Sequence, residues 1–555
     1  MIDVLFVTRL SNPESTEIAD TYQDLRLAIG GRTATVDHLR RLAAASSPGE
    51  AVGPDGGGAF PPVLTPIHIN EYLKKHDISM VEIPCLEDDM EKVRACLAEG
   101  VRVIALCTTW LQAMGGAVKT REAARLLKSL APAAPVIAGG MGALKGRQVR
   151  ELIRDGKLTG IFPRWIESNG LTRGLSSVVL KRILARHLFL MDARADRCID
   201  AIALSDAGEI TLRNVVEALR AGRDLRGVPG LAVPEGGEYR FTGEEEADID
   251  LDAQTIDWAG YVDGLGDEEA PIRRGTGCPY KCAFCDFQGL QKLRVRSTES
   301  LLAEIQTLTG AGCRNVYFID DNLAYTRKQL VEFAGAIIAA RLDISWRGFV
   351  RTDIIDEETA ALLQESGCRE MLLGIESGDP QMLKNMDKGT DPDIALNAIQ
   401  RLDAAGIRTQ CTFVVGFPGE TAGTLDRTAQ FISSLPSGES AHAFHRYYLF
   451  KFTVSPLAPV AYPDQREKYA LRGIAGNWSH RTMDSKEAAH AMRELFLNVA
   501  GPSHAYVETF SDDWDNASIR RVIELRDEVQ KEQLRGRTAF GADKLLAAVR
   551  AAETK

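Results

Sequence analysis

Short apolar runs alternate with stretches of helical period along most of this chain. In the first 250 residues, "IDVLFV" and "SMVEIP" read as strands, and "VRVIALCT" is the unbroken apolar run of a parallel strand covered on both faces. "KTREAARLLKSLAP" places its apolar residues at helical spacing, "APVIAGG" is a further strand ending in glycines, and "LKGRQVRELIRDG" is a helix stopped by glycine. This β-α-β-α rhythm predicts an open, Rossmann-like α/β sheet that binds its ligand beyond the C-terminal ends of its strands. "SSPGEAVGPDGGGAFPP" interrupts the rhythm as a flexible loop. A later helix and short hairpin lead into the acidic stretch "GEEEADIDLD", which sets a domain boundary near residue 250.

From about 270 to 450 the alternation becomes more regular. "NVYFID", "ISWRGFV", "EMLLGIE", "TQCTFVVG" and "AHAFHRYYLF" are strands, separated by helices that open on Ser, Thr or Asp and several of which close on Gly. Five or six β/α units predict a full or partial barrel, taken here as a (β/α)6 partial barrel over 251–455. Residues 456–555 read as a small helix-rich C-terminal domain that opens on the proline-containing loop "SPLAPVAYPD".

Composition narrows the function classes. The chain is 45% hydrophobic and 26% charged, with a formal net charge of −11. It is globular in character and too acidic for broad binding to a nucleic-acid backbone. The start "MIDVLFVTRLSNP" lacks the pattern of a signal peptide, and no run reaches the roughly 20 apolar residues of a membrane span. A cytoplasmic location without membrane association is expected. In such a compartment clustered cysteines imply metal or redox chemistry rather than disulfides.

Three of the ten cysteines, Cys278, Cys282 and Cys285, form C-x3-C-x2-C in "RRGTGCPYKCAFCDFQG", just after the first barrel strand. A structural zinc site needs four ligands, usually as two separated pairs. Here no fourth Cys or His is near, and Cys313 lies a whole helix away. Three thiolates can instead hold three irons of a 4Fe–4S cluster and leave the fourth open. The loop resembles that of the radical S-adenosylmethionine (radical SAM) superfamily, including the aromatic Phe284 before the third cysteine. The resemblance implies that the open iron chelates SAM, which one electron then cleaves to methionine and a 5′-deoxyadenosyl radical.

Residues at the following strand ends would hold the SAM. The resemblance implies that Asp320 or Asp321 in "FIDDN" meets its ammonium, although both residues equally suit a helix cap and a turn. Arg351 in "GFVRTD" can pair with a carboxylate. Glu376 in "GIESGD" suits the ribose hydroxyls, and Gly416, Pro418 and Gly419 in "VVGFPGET" allow close approach to the adenine.

"VRVIALCTTW" and "APVIAGGMGA" resemble the cobalamin-binding domain that precedes the barrel in one subclass of these enzymes. The resemblance, which spans roughly residues 1–450, makes residues 1–250 a Rossmann-like cobalamin-binding domain with its linker. In it Thr108, Thr109, Gly139 and Gly140 would let the corrin's nucleotide tail lie against the sheet edge. The D-x-H-x-x-G pattern that supplies a histidine to cobalt is missing. Cobalamin would therefore bind with its own base removed, and Trp110 either covers its lower face or packs in the core. Trp478, His480, Arg481, His442 and His445 are candidates for a substrate pocket or for packing, and no catalytic side chain is assigned. The resemblance implies a cobalamin-dependent radical SAM methyltransferase acting on a small molecule or biosynthetic intermediate. Its cofactors would be a 4Fe–4S cluster, SAM and methylcobalamin, and its electron would come from a flavodoxin- or ferredoxin-type reductant. A cobalamin-binding radical SAM cyclase or ring-rearranging enzyme is the alternative.

Overall fold

The computed structural model describes residues 1–10, 25, 27–29, 32–44, 63–109, 116–155, 193–244, 248–265, 269–287, 290–437, 441–506, 514, 516–537 and 541–553. The interrupting loop at 46–62 and Trp110 lie outside them.

Strand β1 (Ile2–Arg9) is followed by a small separate hairpin, β2 (Ala28–Ile29) and β3 (Arg32–Thr33). β1 pairs in parallel with β4 (Met80–Cys85) on one side and β5 (Val101–Cys107) on the other. β6 (Val136–Gly139) and β7 (Ala201–Ala203) continue the parallel run, and the antiparallel hairpin β8 (Leu231–Glu235) and β9 (Glu238–Phe241) closes it. Leu5, Val7, Ile104 and Leu106 pack into one core while Val4, Phe6, Val103 and Ala105 pack into the other. Coverage of both faces is why these strands are apolar without alternation. The order β4-β1-β5-β6-β7-β8-β9 switches direction between β1 and β5. Such a switch opens a crevice at the strand C-termini.

The second sheet has the order β10-β13-β14-β15-β16-β17-β20, every pair parallel. β10 (Ala270–Ile272) leads into the cysteine loop, which is flanked by the antiparallel pair β11 (Gly275–Thr276) and β12 (Arg294–Val295). β13 (Asn315–Phe318), β14 (Ser345–Val350), β15 (Cys368–Glu376), β16 (Arg408–Val415) and β17 (His445–Lys451) follow. Ser297, Thr326, Asp356, Asp391 and Thr421 cap the intervening helices, each side chain accepting a backbone N–H of the first turn. Val316, Phe318, Trp346, Val350, Cys411 and Phe413 turn outward into the core under those helices. Tyr317, Arg347, Phe349, Gln410, Thr412 and Val414 alternate with them, line the inside and stay partly exposed. The sheet is an open partial barrel.

The C-terminal region carries a hairpin, β18 (Arg472–Ile474) and β19 (Asn477–Ser479), a helix Ser485–Asn498 packed on the barrel, and β20 (Ser503–His504), the barrel's edge strand. Helices Asn516–Leu534 and Ala542–Glu553 share a core with Leu27, Ala34 and Leu39 from near the start of the chain.

The C-terminal edges of the two large sheets face one another. Asp206, after β7, accepts from the Lys292 backbone N–H at 3.2 Å and from Arg294 at 3.0 Å, in the segment that leaves the cysteine loop. Met141 and Val149, on the helix after β6, pack against Leu290 and Leu457.

Candidate active site

The cysteine loop is held from several sides. Asp320, at the end of β13, is buried and accepts the backbone N–H groups of Arg274 (3.0 Å) and Gly275, fixing the chain just before the loop. Burial pushes its carboxyl up to about 6, although those two N–H groups oppose the rise. Ala283, between Cys282 and Cys285, donates to Met386 O at 2.7 Å and accepts from Val460 N–H at 2.9 Å. Tyr325 donates to Gly277 O (3.0 Å), and Tyr280 donates to Tyr325 O (3.1 Å).

None of the three cysteines is in a disulfide. Cys282 is buried, and Cys278 and Cys285 are part-exposed. Burial pushes Cys285 up to about 12, and the charges of Asp286, Cys282 and Cys278 act in the same direction. Burial also raises Cys278 and Cys282, an effect that Lys388 and Arg351 oppose at both thiols. Three cysteines in one loop are the donor type of an iron–sulfur cluster, and among the described residues no group of three His, Cys, Asp or Glu side chains is already gathered to hold a metal ion. Metal binding there must displace protons.

Arg351 and Glu376 stand on two successive strands next to this loop. Arg351 pairs with Asp353 (3.0 Å), donates to Gly389 O (3.2 Å), and lies 4.1 Å from the centroid of the Tyr280 ring. Glu376, buried at the end of β15 with φ +69°, accepts from Lys388 Nζ at 2.8 Å. A Cβ on Gly374 would fall 2.6 Å from Glu376 Oε1 and 2.8 Å from Lys388 Nζ, so a larger residue there would push the two side-chain ends aside. Lys388 also lies 5.9 Å from the Phe284 ring of the cysteine loop. Asp321 is exposed, and its charge adds to the rise of the Cys278 thiol that burial causes.

After β16, Gly416 adopts φ +95° and is packed against Trp478 and Ala488. Its N–H donates to Glu420, whose carboxyl burial pushes up to about 8. His480 meets Gly416 O at 3.0 Å and stacks on fully buried Trp478, whose indole donates to Phe452 O at 2.7 Å. Trp478 and His480 therefore brace the Gly416–Gly419 turn, and Pro418 sits within it. Arg481 donates to Lys468 O on the surface. His445, at the start of β17, bonds Thr409 and Asp403, and His442 reaches the same Asp403, all at the opposite end of the barrel from the cysteines. At that end Glu269, Glu370 and Arg446, all buried, and the partly exposed Arg347 form an ion network.

In the N-terminal sheet, Thr108 after β5 donates to Gly139 O (2.7 Å) and accepts from Ala143 N–H (3.1 Å). Gly140 O accepts from Ala143 and Leu144. Thr109, Gly139 and Gly140 remain partly exposed at this corner. Sequence reasoning missed Lys388, Tyr325, Lys145 and Asp286, and noted Tyr280 only as part of the cysteine motif. Of the four, Asp286 carried a signal, its place directly after Cys285.

Residues 272–432 match the radical SAM superfamily model. The chain carries a radical SAM domain. Among curated relatives, it is 29% identical over 248 residues to an uncharacterized methyltransferase of Pyrococcus horikoshii, covering 43% of this chain and 53% of that protein. It is 31% identical over 246 residues to an anaerobic magnesium-protoporphyrin IX monomethyl ester cyclase of Rubrivivax gelatinosus, covering 41% and 44%. The chain thus spans about half the length of these relatives. The fold is that of the radical SAM methyltransferase TsrM of Kitasatospora setae. The structure of TsrM with cobalamin and a [4Fe-4S] cluster aligns at TM-score 0.53 and 15% identity over 83% of this chain and 77% of that one. The structure with tryptophan substrate and a SAM analogue aligns at TM-score 0.53 and 16% identity over 73% of each. Among the described residues, no helix is long and apolar enough to cross a membrane.

Proposed function

We propose that this protein is a cobalamin-dependent radical SAM methyltransferase acting on a small molecule. The observation that carries the proposal is that the C-terminal edges of the two sheets face each other, with the loop of Cys278, Cys282 and Cys285 on the barrel's side. When bound, the cluster and SAM supply a substrate-activating radical and the corrin carries the methyl group.

The chain's own residues then have definite tasks. Cys278, Cys282 and Cys285 hold three irons. Glu376, oriented by Lys388, accepts from the ribose hydroxyls. Arg351 fixes Tyr280 and hence the cysteine loop. Asp321 is the remaining carboxylate at the β13 end for the SAM ammonium, since Asp320 is spent on the backbone. The turn Gly416–Gly419 offers backbone to the adenine, and the corner of Thr108, Thr109, Gly139 and Gly140 receives the corrin tail. The substrate would enter from the inter-sheet side, onto which both cofactor sites open. The small-molecule class is supported by TsrM, whose structure holds tryptophan. A flavodoxin- or ferredoxin-type protein would supply the electron.

The cyclase relative keeps one alternative in view, the same radical chemistry without methyl transfer. Anaerobic reconstitution tests the shared part. The wild-type chain should take up iron and sulfide and, once reduced, release 5′-deoxyadenosine from SAM. Alanine at any one of the three cysteines should abolish that release. A triple-alanine variant with full iron content and normal SAM cleavage would overturn the proposal.

A further inference from the structure

The helix Met141–Arg154 starts at the Gly139–Gly140 corner and carries a cation out of its own domain. Lys145, only 8% exposed, places Nζ 2.8 Å from Asp286 Oδ2 and 5.7 Å from the Phe287 ring centroid. Asp286 directly follows Cys285 in the chain. The same Oδ2 accepts from the Ser455 hydroxyl at 2.6 Å, so the segment after β17 joins the contact. Met141, Val149, Leu290 and Leu457 form an apolar cluster at this boundary. Burying an ammonium and a carboxylate costs several kcal/mol per ion before their attraction offsets it. What the pair adds is a fixed position, because a one-turn slip of the helix would carry the buried Lys145 ammonium away from Asp286.

We propose that Lys145 is a positioning residue that couples corrin occupancy of the N-terminal domain to the geometry of the cluster loop, through Asp286 and Ser455. This rests on the cofactor reading above. A corrin tail at the corner orders the first turn of the helix, and Lys145 stands about 7 Å along the same rod, at about 1.5 Å per residue. Coupling of this kind is reciprocal, so an assembled cluster raises corrin affinity by the same factor.

Hydrogen exchange on the full iron-free chain, with and without hydroxocobalamin, tests the coupling. In the wild type, hydroxocobalamin should slow exchange across residues 278–287 by about fivefold or more, while Lys145→Met and Asp286→Asn bind it yet show less than about twofold slowing. Lys145→Arg should restore the effect. Reconstitution with iron and sulfide should likewise raise hydroxocobalamin affinity in the wild type and Lys145→Arg but not in Lys145→Met. A residue with only a packing role would lower thermal stability and leave both ratios intact. Wild-type slowing in Lys145→Met, or a wild-type loop indifferent to bound hydroxocobalamin, would overturn the coupling with the cofactor reading untouched. A wild-type chain that takes up no hydroxocobalamin would remove the cofactor reading itself and this inference with it.

Discussion

Glu376 shows at the residue scale what a single carboxylate does in this site. The sequence marks it as a carboxylate between glycines at a strand end. It does not mark its partner, because Lys388 lies twelve residues on, across a short helix, where no spacing rule links the two. Nor does it show that Gly374, inside the strand, lies beside the ends of both side chains of that ion pair. A charge-assisted contact is worth about 1.5–3 kcal/mol, so Glu376→Ala should weaken SAM binding by about one to two orders of magnitude with the cluster spectrum unchanged. Gln at this position should be milder, since its amide oxygen still accepts. Anaerobic SAM titration of the three proteins checks this, and equal affinities would retire the ribose assignment. Glu420 gives a pH test. Burial holds its folded-state pKa near 8, above the unfolded carboxyl value of about 4.3. The folded chain therefore keeps a proton that the unfolded chain gives up, and this contribution to stability is lost as pH rises through about 8. Asp320, held near 6, acts in the same direction at lower pH. Thermal melts should show Glu420→Gln losing less stability than the wild type between pH 6 and about pH 9. Parallel loss in the two proteins would place the titration elsewhere.

Elements were more legible than the ties between them. The apolar runs and the Ser, Thr and Asp caps announced the barrel strands and helices, because local periodicity and capping are local signals. The stitching of the cysteine loop to Met386 and Val460 was hidden, since backbone hydrogen bonds between distant segments leave no residue signature. Trp478 and His480 were ambiguous in sequence for a similar reason. Their role is set by the turn they brace, 64 residues away for His480. That turn can be probed as an element. In Gly416→Ala, the left-handed backbone alone costs about 1–2 kcal/mol. The new methyl would also stand 2.6 Å from Ala488 Cβ and 2.7 Å from the Trp478 ring. The variant should melt lower and bind SAM more weakly while assembling a normal cluster. An unchanged melting temperature and SAM affinity would show that the turn neither needs its glycine nor meets the adenine.

At the scale of the whole molecule, the order of the two α/β units could be read from the chain. The facing of their sheets could not, nor could the core shared by Leu27, Ala34 and Leu39 with the C-terminal helices. Such contacts depend on tertiary placement, and short apolar segments near the chain's start carry no sign of their partner. The facing matters most for function, because a methyl group can pass from one cofactor site to a substrate above the other only if both open onto one space. If SAM serves both as radical source and as methyl donor, the first role yields 5′-deoxyadenosine with methionine, and the second yields S-adenosylhomocysteine as the methyl group passes to cobalamin and on to a substrate. The most direct measurement is therefore the quantitation of both from one pool of SAM, using the full chain reconstituted with iron, sulfide and cobalamin and reduced anaerobically. The account predicts that both accumulate and that Cys278→Ala loses 5′-deoxyadenosine. 5′-Deoxyadenosine without S-adenosylhomocysteine would contradict methyl transfer and favour the cyclase-like alternative, and the absence of both would contradict the enzyme assignment itself.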